Sequence, residues 1–97
     1  MIEKFSGIIT IAGTEFDDVT YDREVDVLYL WSGQLRPPAF DDASPEGHYL
    51  QFEADGSLIA LTIVNARRIF EREGEIPITL PEHRIVAADL GAVLAAA

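Results

Sequence analysis

Alternating apolar and polar residues predict two β-hairpins near the middle of this chain. The first covers residues 19–31 (VTYDREVDVLYLW), and its turn begins at Asp22, whose carboxylate can accept a hydrogen bond from the amide two residues on. The second covers residues 48–64, and Asp55-Gly56 at its tip is a pair that favours the positive φ of a tight turn. Together the hairpins predict a small antiparallel sheet.

The strand that follows the first turn is apolar on both faces. Val27, Tyr29 and Trp31 point to one side of it, and Leu28 and Leu30 point to the other. A strand of this kind needs cover on both faces. One cover can come from a helix of the same chain, and the other from a second sheet layer or a second subunit.

The segments around the first hairpin are less regular. Residues 5–12 are rich in β-branched side chains and predict a first strand. Residues 32–47 contain three prolines and two glycines, a composition that predicts a loop of about 15 residues with no regular element. Phe40 stands alone in this loop, either as a hydrophobic anchor that folds the loop back on the sheet or as a ligand contact.

A short helix is predicted over residues 66–73, because Asn65 is a favourable N-cap residue and Gly74 a favourable C-cap residue. Residues 75–81 predict a short strand, which Pro77 confines to a sheet edge. The tail carries apolar residues at helical spacing, namely Val86, Leu90, Val93, Leu94 and Ala97. An amphipathic C-terminal helix that covers one sheet face, or the same face of a partner, is therefore expected.

The predicted fold class is α+β: a small antiparallel β-sheet of four to six strands built from two hairpins, with a short helix near residues 66–73 and a C-terminal helix. The length of 97 residues predicts a single domain. Its N-terminal strand and loop occupy residues 1–17, the hairpins and helix residues 18–70, and the edge strand and terminal helix residues 75–97.

The charge of the chain limits the classes of partner that it is expected to bind. Asp and Glu number 17 against 7 Lys and Arg, which gives a formal net charge of −10. Such a surface repels phosphate backbones, so nucleic-acid binding is not expected, whereas a basic protein partner would be attracted. Apolar residues make up 48% of the chain, which is enough to predict a folded domain despite the charge.

Cysteine is absent, which excludes disulfide scaffolds, zinc ribbons and thiol nucleophiles. The N-terminal apolar run is too short for a signal peptide, and no apolar run approaches the roughly 20 residues that cross a bilayer. The sequence therefore predicts a cytoplasmic protein with no membrane partner.

The most distinctive candidate for chemistry is the acidic trio Asp22, Glu24 and Asp26. Its spacing resembles the start of a calcium loop, but Val27 stands where that loop needs glycine and Gly33 where it needs a bidentate glutamate. A hard-cation site of another geometry remains one interpretation. The other is that Asp22 and Asp26 bind the amides of the turn while Glu24 is solvated or pairs with an arginine.

The histidines His48 and His83 titrate near neutral pH and could do acid–base work beside a carboxylate. Neither lies in a motif that places a nucleophile or an orienting carboxylate next to it, so solvated or locally bonded histidines are the alternative. The serines lack a G-x-S-x-G context, and no glycine loop suited to a phosphate is present. The sequence predicts neither a cofactor nor a catalytic residue.

Both hairpins carry a resemblance to a known family. The segments YDREVDVLYL and GHYLQFEADGSLIALTIVNARR, which span residues 18–70 with their flanks, look like the small, mostly bacterial domains of unknown function with the signature YDxExDxLYI followed by an acid-Asp-Gly hairpin. The matching positions are Tyr21, Asp22, Glu24, Asp26, Leu28, Tyr29, Asp55, Gly56, Ile63 and Ala66. Leu30, Ala60 and Thr62 depart from the pattern. The resemblance implies a compact β-sheet domain with a trailing helix and no agreed activity, and some members are similar to the small partner of basic toxin-like proteins.

The predicted function is that of a non-catalytic protein-interaction module that self-associates, as a homodimer. The predicted interface consists of Leu28, Tyr29, Trp31, Val93 and Leu94. One alternative is an antitoxin-like protein or inhibitor whose acidic surface masks a basic partner. A further alternative is a metal-dependent or acid–base hydrolase that uses the acidic trio with a histidine.

Overall fold

The computed structural model describes residues 2–79, 84–87, 90 and 93–94. Its elements, in chain order, are β1 (Ile2–Phe5), β2 (Ile9–Ile11), β3 (Thr14–Phe16), β4 (Asp18–Asp22), β5 (Val27–Trp31), β6 (Phe40–Ala43), β7 (Tyr49–Phe52), β8 (Leu58–Val64), α1 (Ala66–Glu73), β9 (Ile76–Thr79) and β10 (Arg84–Ala87). They form a mostly antiparallel β structure with one short helix, as the alternation of the sequence predicts.

Six of the strands form one antiparallel sheet in the order β1-β4-β5-β8-β7-β6. The two predicted hairpins, β4–β5 and β7–β8, supply its four central strands. The turn between β4 and β5 begins as expected, because Asp22 accepts a hydrogen bond from the Glu24 amide at 3.1 Å. In the turn between β7 and β8, Gly56 adopts a φ of 90° and the Asp55 carboxylate accepts a bond from the Ser57 amide.

The hydrophobic core lies on one side of this sheet, which we call the closed face. The sheet contributes Val19, Tyr21, Leu28, Leu30, Leu50, Phe52, Leu61 and Ile63 to it. A second layer packs on these side chains and is formed by the β2–β3 hairpin, α1, β9 and part of the tail. This layer contributes Ile9, Ile11, Phe16, Ala66, Ile76, Ile78, Leu90, Val93 and Leu94. The chain therefore covers the closed face by itself.

The predicted first strand is divided into two. The division falls at Gly7, which adopts a φ of 149° and stands so close to the Phe5 ring that a Cβ atom would lie 3.0 Å from it. The chain leaves the sheet at this glycine, and β2 turns back on β3 through Ala12 and Gly13, both with positive φ. One β-branched segment thus serves two layers of the fold.

The segment of residues 32–47 is not a loop throughout, because β6 forms in its middle. The prolines flank this strand instead of interrupting it, so its backbone is free to pair with β7 at the sheet edge. The ring of Phe40 stacks on Phe52 with the centroids 5.1 Å apart. This contact matches the interpretation of Phe40 as a hydrophobic anchor.

The prediction for the tail was wrong in its first part. Residues 84–87 form β10, which pairs with β9 and places Val86 opposite Pro77. The rest of the predicted C-terminal helix, including Ala97, lies outside the described residues, apart from three buried side chains: Leu90, Val93 and Leu94. The Leu94 amide donates to the Leu90 carbonyl at 3.0 Å. Among the residues described, no helix has the length and apolar character needed to cross a membrane.

Candidate functional site

Asp26 is the point where the first hairpin holds the helix. Its backbone has a left-handed φ of 57°, which Asp tolerates better than most residues. One carboxylate oxygen accepts hydrogen bonds from the Tyr21 hydroxyl at 2.6 Å and from the Arg67 amide at 2.8 Å. The other accepts from the Arg68 amide at 3.2 Å, and the Asp26 carbonyl accepts from the Ala66 amide at 3.1 Å. The first turn of α1 therefore rests on a residue of the β4–β5 turn.

This arrangement overturns the prediction that Asn65 caps the helix. Asn65 is left-handed, with a φ of 54°, and its side chain makes no cap hydrogen bond. The first turn of α1 also contains no acidic residue that would complement the helix dipole. The Asp26 carboxylate supplies both missing features, because it accepts from the free amides and places a negative charge at the helix N-terminus.

The ionisation of Tyr21 and Asp26 fits this role. Burial and the hydrogen bond to Asp26 raise the pKa of Tyr21 to about 12, so its hydroxyl remains a donor. Burial acts to raise the pKa of Asp26, but the bonds from Tyr21, Arg67 and Arg68 outweigh it and hold this pKa below its usual value. The Tyr21 hydroxyl therefore stays protonated and donates a hydrogen bond to the ionised carboxylate of Asp26.

The acidic trio does not act as one group. Asp26 binds the helix, Asp22 binds its own turn, and Glu24 lies exposed at the tip. Arg23, which lies between Asp22 and Glu24 in sequence, pairs with Glu3 on β1 at 2.5 Å. Within residues 2–79 and the described part of the tail, no three carboxylate or histidine side chains are arranged to hold a metal ion.

His48, the residue before β7, is completely buried. Its Nδ1 accepts a hydrogen bond from the Val64 amide at 3.3 Å, which leaves the proton on Nε2. Among the described residues, Nε2 has no hydrogen-bond partner of ordinary geometry. Burial lowers the pKa of His48, opposed by the Glu46 charge and the Pro77 carbonyl. The side chain of His83 lies outside the described residues.

A second carboxylate, Glu46, ties the 44–48 segment to β9. Its oxygens accept from the Thr79 amide at 2.9 Å and from the Thr79 hydroxyl at 2.6 Å. Burial acts to raise the pKa of Glu46, but the bonds from Thr79 and from the Ser44 hydroxyl outweigh it and lower the pKa from 4.5 to about 2. Sequence reasoning missed this contact because its partners are 33 residues apart.

These shifts predict a loss of stability in acid. Glu46 has a lowered folded pKa, so its contribution is complete above 4.5 and disappears as the pH falls toward 2. His48 acts in the same direction, because its neutral folded form loses stability as the pH falls below the usual 6.5. We expect Glu46→Gln to cost about 1.5 kcal/mol at about pH 7 and almost nothing at about pH 2. Urea unfolding at both pH values measures this.

The matched control for that experiment is Glu15→Gln, which removes an exposed carboxylate from β3. It should change the free energy of unfolding little at either pH. An equal loss for Glu46→Gln at both pH values would show that its charge is not what binds Thr79.

The second feature of interest is the side of the sheet that faces away from the core, which we call the open face. Two rows of side chains cross its middle, as the strand register shows. In the first, Tyr29 on β5 and Tyr49 on β7 flank Thr62 on β8. In the second, Trp31 and Gln51 flank Ala60. No covering layer lies on this face in the described part of the chain, and Tyr29 and Tyr49 remain 44% and 41% exposed.

The open face carries a groove with a volume of about 390 Å³. It reaches from Ile2 on β1 across β4 and β5 to Gln51 on β7, and the small residues Ala60 and Thr62 of β8 form part of its lining. We call this groove the β8 trough. Two of its twelve lining residues are acidic, Asp18 and Asp22 on β4, and the other ten are uncharged. This mostly uncharged strip contrasts with a chain whose net charge is −10.

The residues predicted to form an interface divide into two groups. Tyr29 and Trp31 lie on the open face, where they are accessible. Leu28, Val93 and Leu94 are buried in the core of the same chain and offer no exposed surface in this fold. The reason is that the closed face already uses the apolar tail as cover. Sequence reasoning missed Thr62, Ala60 and Gln51, whose position depends on strand register.

The comparisons with known proteins place the chain in a family without an assigned function. Comparison with curated proteins and with solved structures finds no match. Residues 18–67 match the family described as "Protein of unknown function (DUF2283)". That segment runs from β4 to the first turn of α1 and includes Tyr21, Asp26, the open-face rows and the helix contact. Because the match covers more than half of its 97 residues, the chain belongs to the DUF2283 family.

Proposed function

We propose that this protein is a non-catalytic interaction module that forms a homodimer through the open face of its sheet. The observation that carries the proposal is the exposure of Tyr29 and Tyr49 beside Trp31 on an otherwise uncovered sheet face. Exposed aromatic side chains gathered on one surface mark protein interfaces more often than active sites.

The charge distribution supports a second copy of the chain as the partner. Two copies with a net charge of −10 repel each other unless their contact excludes charged groups. The middle of the open face meets this condition, since its two rows consist of tyrosine, threonine, tryptophan, alanine and glutamine. The acidic side chains lie around it, with Asp18 paired to Lys4 at 3.2 Å. An uncharged centre with a polar rim is the usual arrangement of a stable interface.

The second layer of the chain, which packs on the closed face, explains why the proposed interface is confined to the open face. The closed face is buried under the β2–β3 hairpin, α1 and β9, so dimerisation is not needed to complete the core. The apolar side chains that remain on β5 are those of the open face. Self-association through this face therefore joins two folded chains, and it leaves the monomer a stable species at low concentration.

Sedimentation equilibrium at two salt concentrations tests the proposal. We expect the wild-type chain to form a dimer at tens of micromolar, and we expect the dimer to be as tight or tighter at about 500 mM salt than at about 50 mM, because salt screens the repulsion between the acidic chains. A strict monomer under both conditions would contradict the proposal.

A second candidate function is the masking of a basic protein. The edge strand β6 favours it, because Asp41 and Asp42 are exposed there on opposite faces of the sheet. This candidate predicts a basic partner, encoded nearby, that co-purifies at low salt and dissociates as salt is raised. The opposite salt response separates the two candidates.

A further inference from the structure

Leu35 is an exposed apolar side chain at the border of the open face. It is 87% exposed, more than any other large hydrophobic residue described. It also lines the β8 trough, together with Trp31, Gln51 and Ala60. A lone exposed leucine in a mobile loop needs no explanation, so the structure of its loop decides whether the exposure is meaningful.

The loop that carries Leu35 is held in place from both sides. Arg36 donates to the Ser32 carbonyl at 2.8 Å and to the Gln34 carbonyl at 2.7 Å. Its guanidinium also pairs with Glu53 at 2.7 Å and lies 6.0 Å from the centre of the Trp31 ring.

The two residues before Leu35 are fixed as well. The Trp31 indole donates to the Gln34 carbonyl at 3.1 Å. The Gly33 amide donates to the Asp17 carboxylate at 3.0 Å, and Gly33 adopts the positive φ of 76° that this turn requires. Leu35 is thus presented to solvent by a loop whose neighbours on both sides are hydrogen-bonded, so little conformational entropy remains to be lost when it binds.

We infer that Leu35 inserts into the β8 trough of a second copy of this chain, so that the dimer is held by two reciprocal leucine contacts. The inference rests on the proposed homodimer and identifies the contact that drives it. The open face carries both a projecting leucine and a trough whose lining is uncharged apart from Asp18 and Asp22, and an isologous interface needs both halves on one surface. A two-fold axis through this face would make the two leucine contacts equivalent.

The same features favour a second copy over a basic partner. A partner selected by charge would need many free carboxylates in the contact, whereas only two of the twelve residues that line the trough are acidic, and one of them, Asp18, pairs with Lys4 at 3.2 Å. An apolar side chain of moderate size can pack against such a strip. Leu35 has that character and is already positioned beside the strip.

The test is sedimentation equilibrium on the full chain with Leu35→Asp. The wild-type leucine is almost fully exposed, so the variant should fold normally, which thermal unfolding confirms. We expect the dimer dissociation constant to rise by about 100-fold or more, since two buried leucines are lost for each dimer. Leu35→Met, which keeps size and apolar character, should stay within about threefold of wild type.

The matched control is Ile8→Asp, because Ile8 is 62% exposed, precedes β2 and does not line the trough. It adds the same charge and removes a similar apolar surface, and it should leave the dimer intact. Equal weakening by Leu35→Asp and Ile8→Asp would overturn the inference. If Leu35→Asp dimerises like wild type while Tyr29→Glu does not, the leucine contact is refuted and the open-face dimer stands. A wild-type chain that stays monomeric refutes both.

Discussion

Replacing Asp26 with alanine is expected to lower the free energy of unfolding by about 3 kcal/mol. The substitution removes the acceptor for the Arg67 and Arg68 amides and leaves the Tyr21 hydroxyl without its partner. It also places alanine at a φ of 57°, which an aspartate tolerates better. Urea unfolding at one fixed protein concentration, followed by the fluorescence of the single tryptophan, Trp31, measures the loss.

Two variants separate the contributions. Asp26→Asn keeps the left-handed backbone and one acceptor oxygen but loses the charge at the helix N-terminus, so about half of the loss is expected. Asp22→Asn is the matched control, since it makes the same change four residues earlier and preserves the acceptor of the turn. It should alter stability by less than about 0.5 kcal/mol. Similar losses at Asp22 and Asp26 would contradict the helix-holding role of Asp26.

Replacing Tyr29 with glutamate is expected to raise the dimer dissociation constant by about 100-fold or more. Tyr29 occupies the middle of the open face opposite Thr62, so the new carboxylate would be desolvated and would face the acidic partner. The fold should survive, because the side chain is 44% exposed in the monomer. Sedimentation equilibrium and thermal unfolding of the same sample report the two properties separately.

The control for Tyr29→Glu is Ile8→Glu, which adds the same negative charge at an exposed apolar position that does not line the trough. We expect it to dimerise as the wild type does. If the two variants were weakened equally, general repulsion between acidic chains would explain the effect, and the open face would lose its special role.

Local pattern predicted the centre of the fold. The alternation in β4, β5 and β7 predicted which side chains share a face, and Asp55-Gly56 predicted the turn before β8. These features are visible in sequence because period-two alternation and turn chemistry act between neighbouring residues. The parity of β5 also separated Leu28 from Tyr29 correctly.

Contacts between distant segments could not be predicted in the same way. β6 and β10 are four-residue strands that are stabilised by pairing with β7 and β9. The prolines around β6 predicted a loop there, and the helical spacing of apolar residues in the tail predicted a helix where β10 forms. Parity showed that β5 has two apolar faces, yet it could not show that the chain covers the one with Leu28.

The helix contact was missed for the same physical reason. Asn65 has the local chemistry of an N-cap residue, but the residue that binds the helix amides is Asp26, 41 positions before Arg67. A carboxylate in a hairpin turn gives no sequence signal that it serves a distant helix. The family match spans residues 18–67, a range that includes Asp26 and Arg67.

The most direct test of the open-face dimer uses Trp31, the single tryptophan of the chain, which lies on that face. Acrylamide is uncharged, so its quenching of Trp31 is not disturbed by the acidic surface. As the protein concentration rises from about 0.1 to about 100 µM, quenching of Trp31 should fall in step with dimer formation measured by sedimentation. Quenching that stays constant while the dimer forms would show that two copies associate through a different surface, and the account would be wrong.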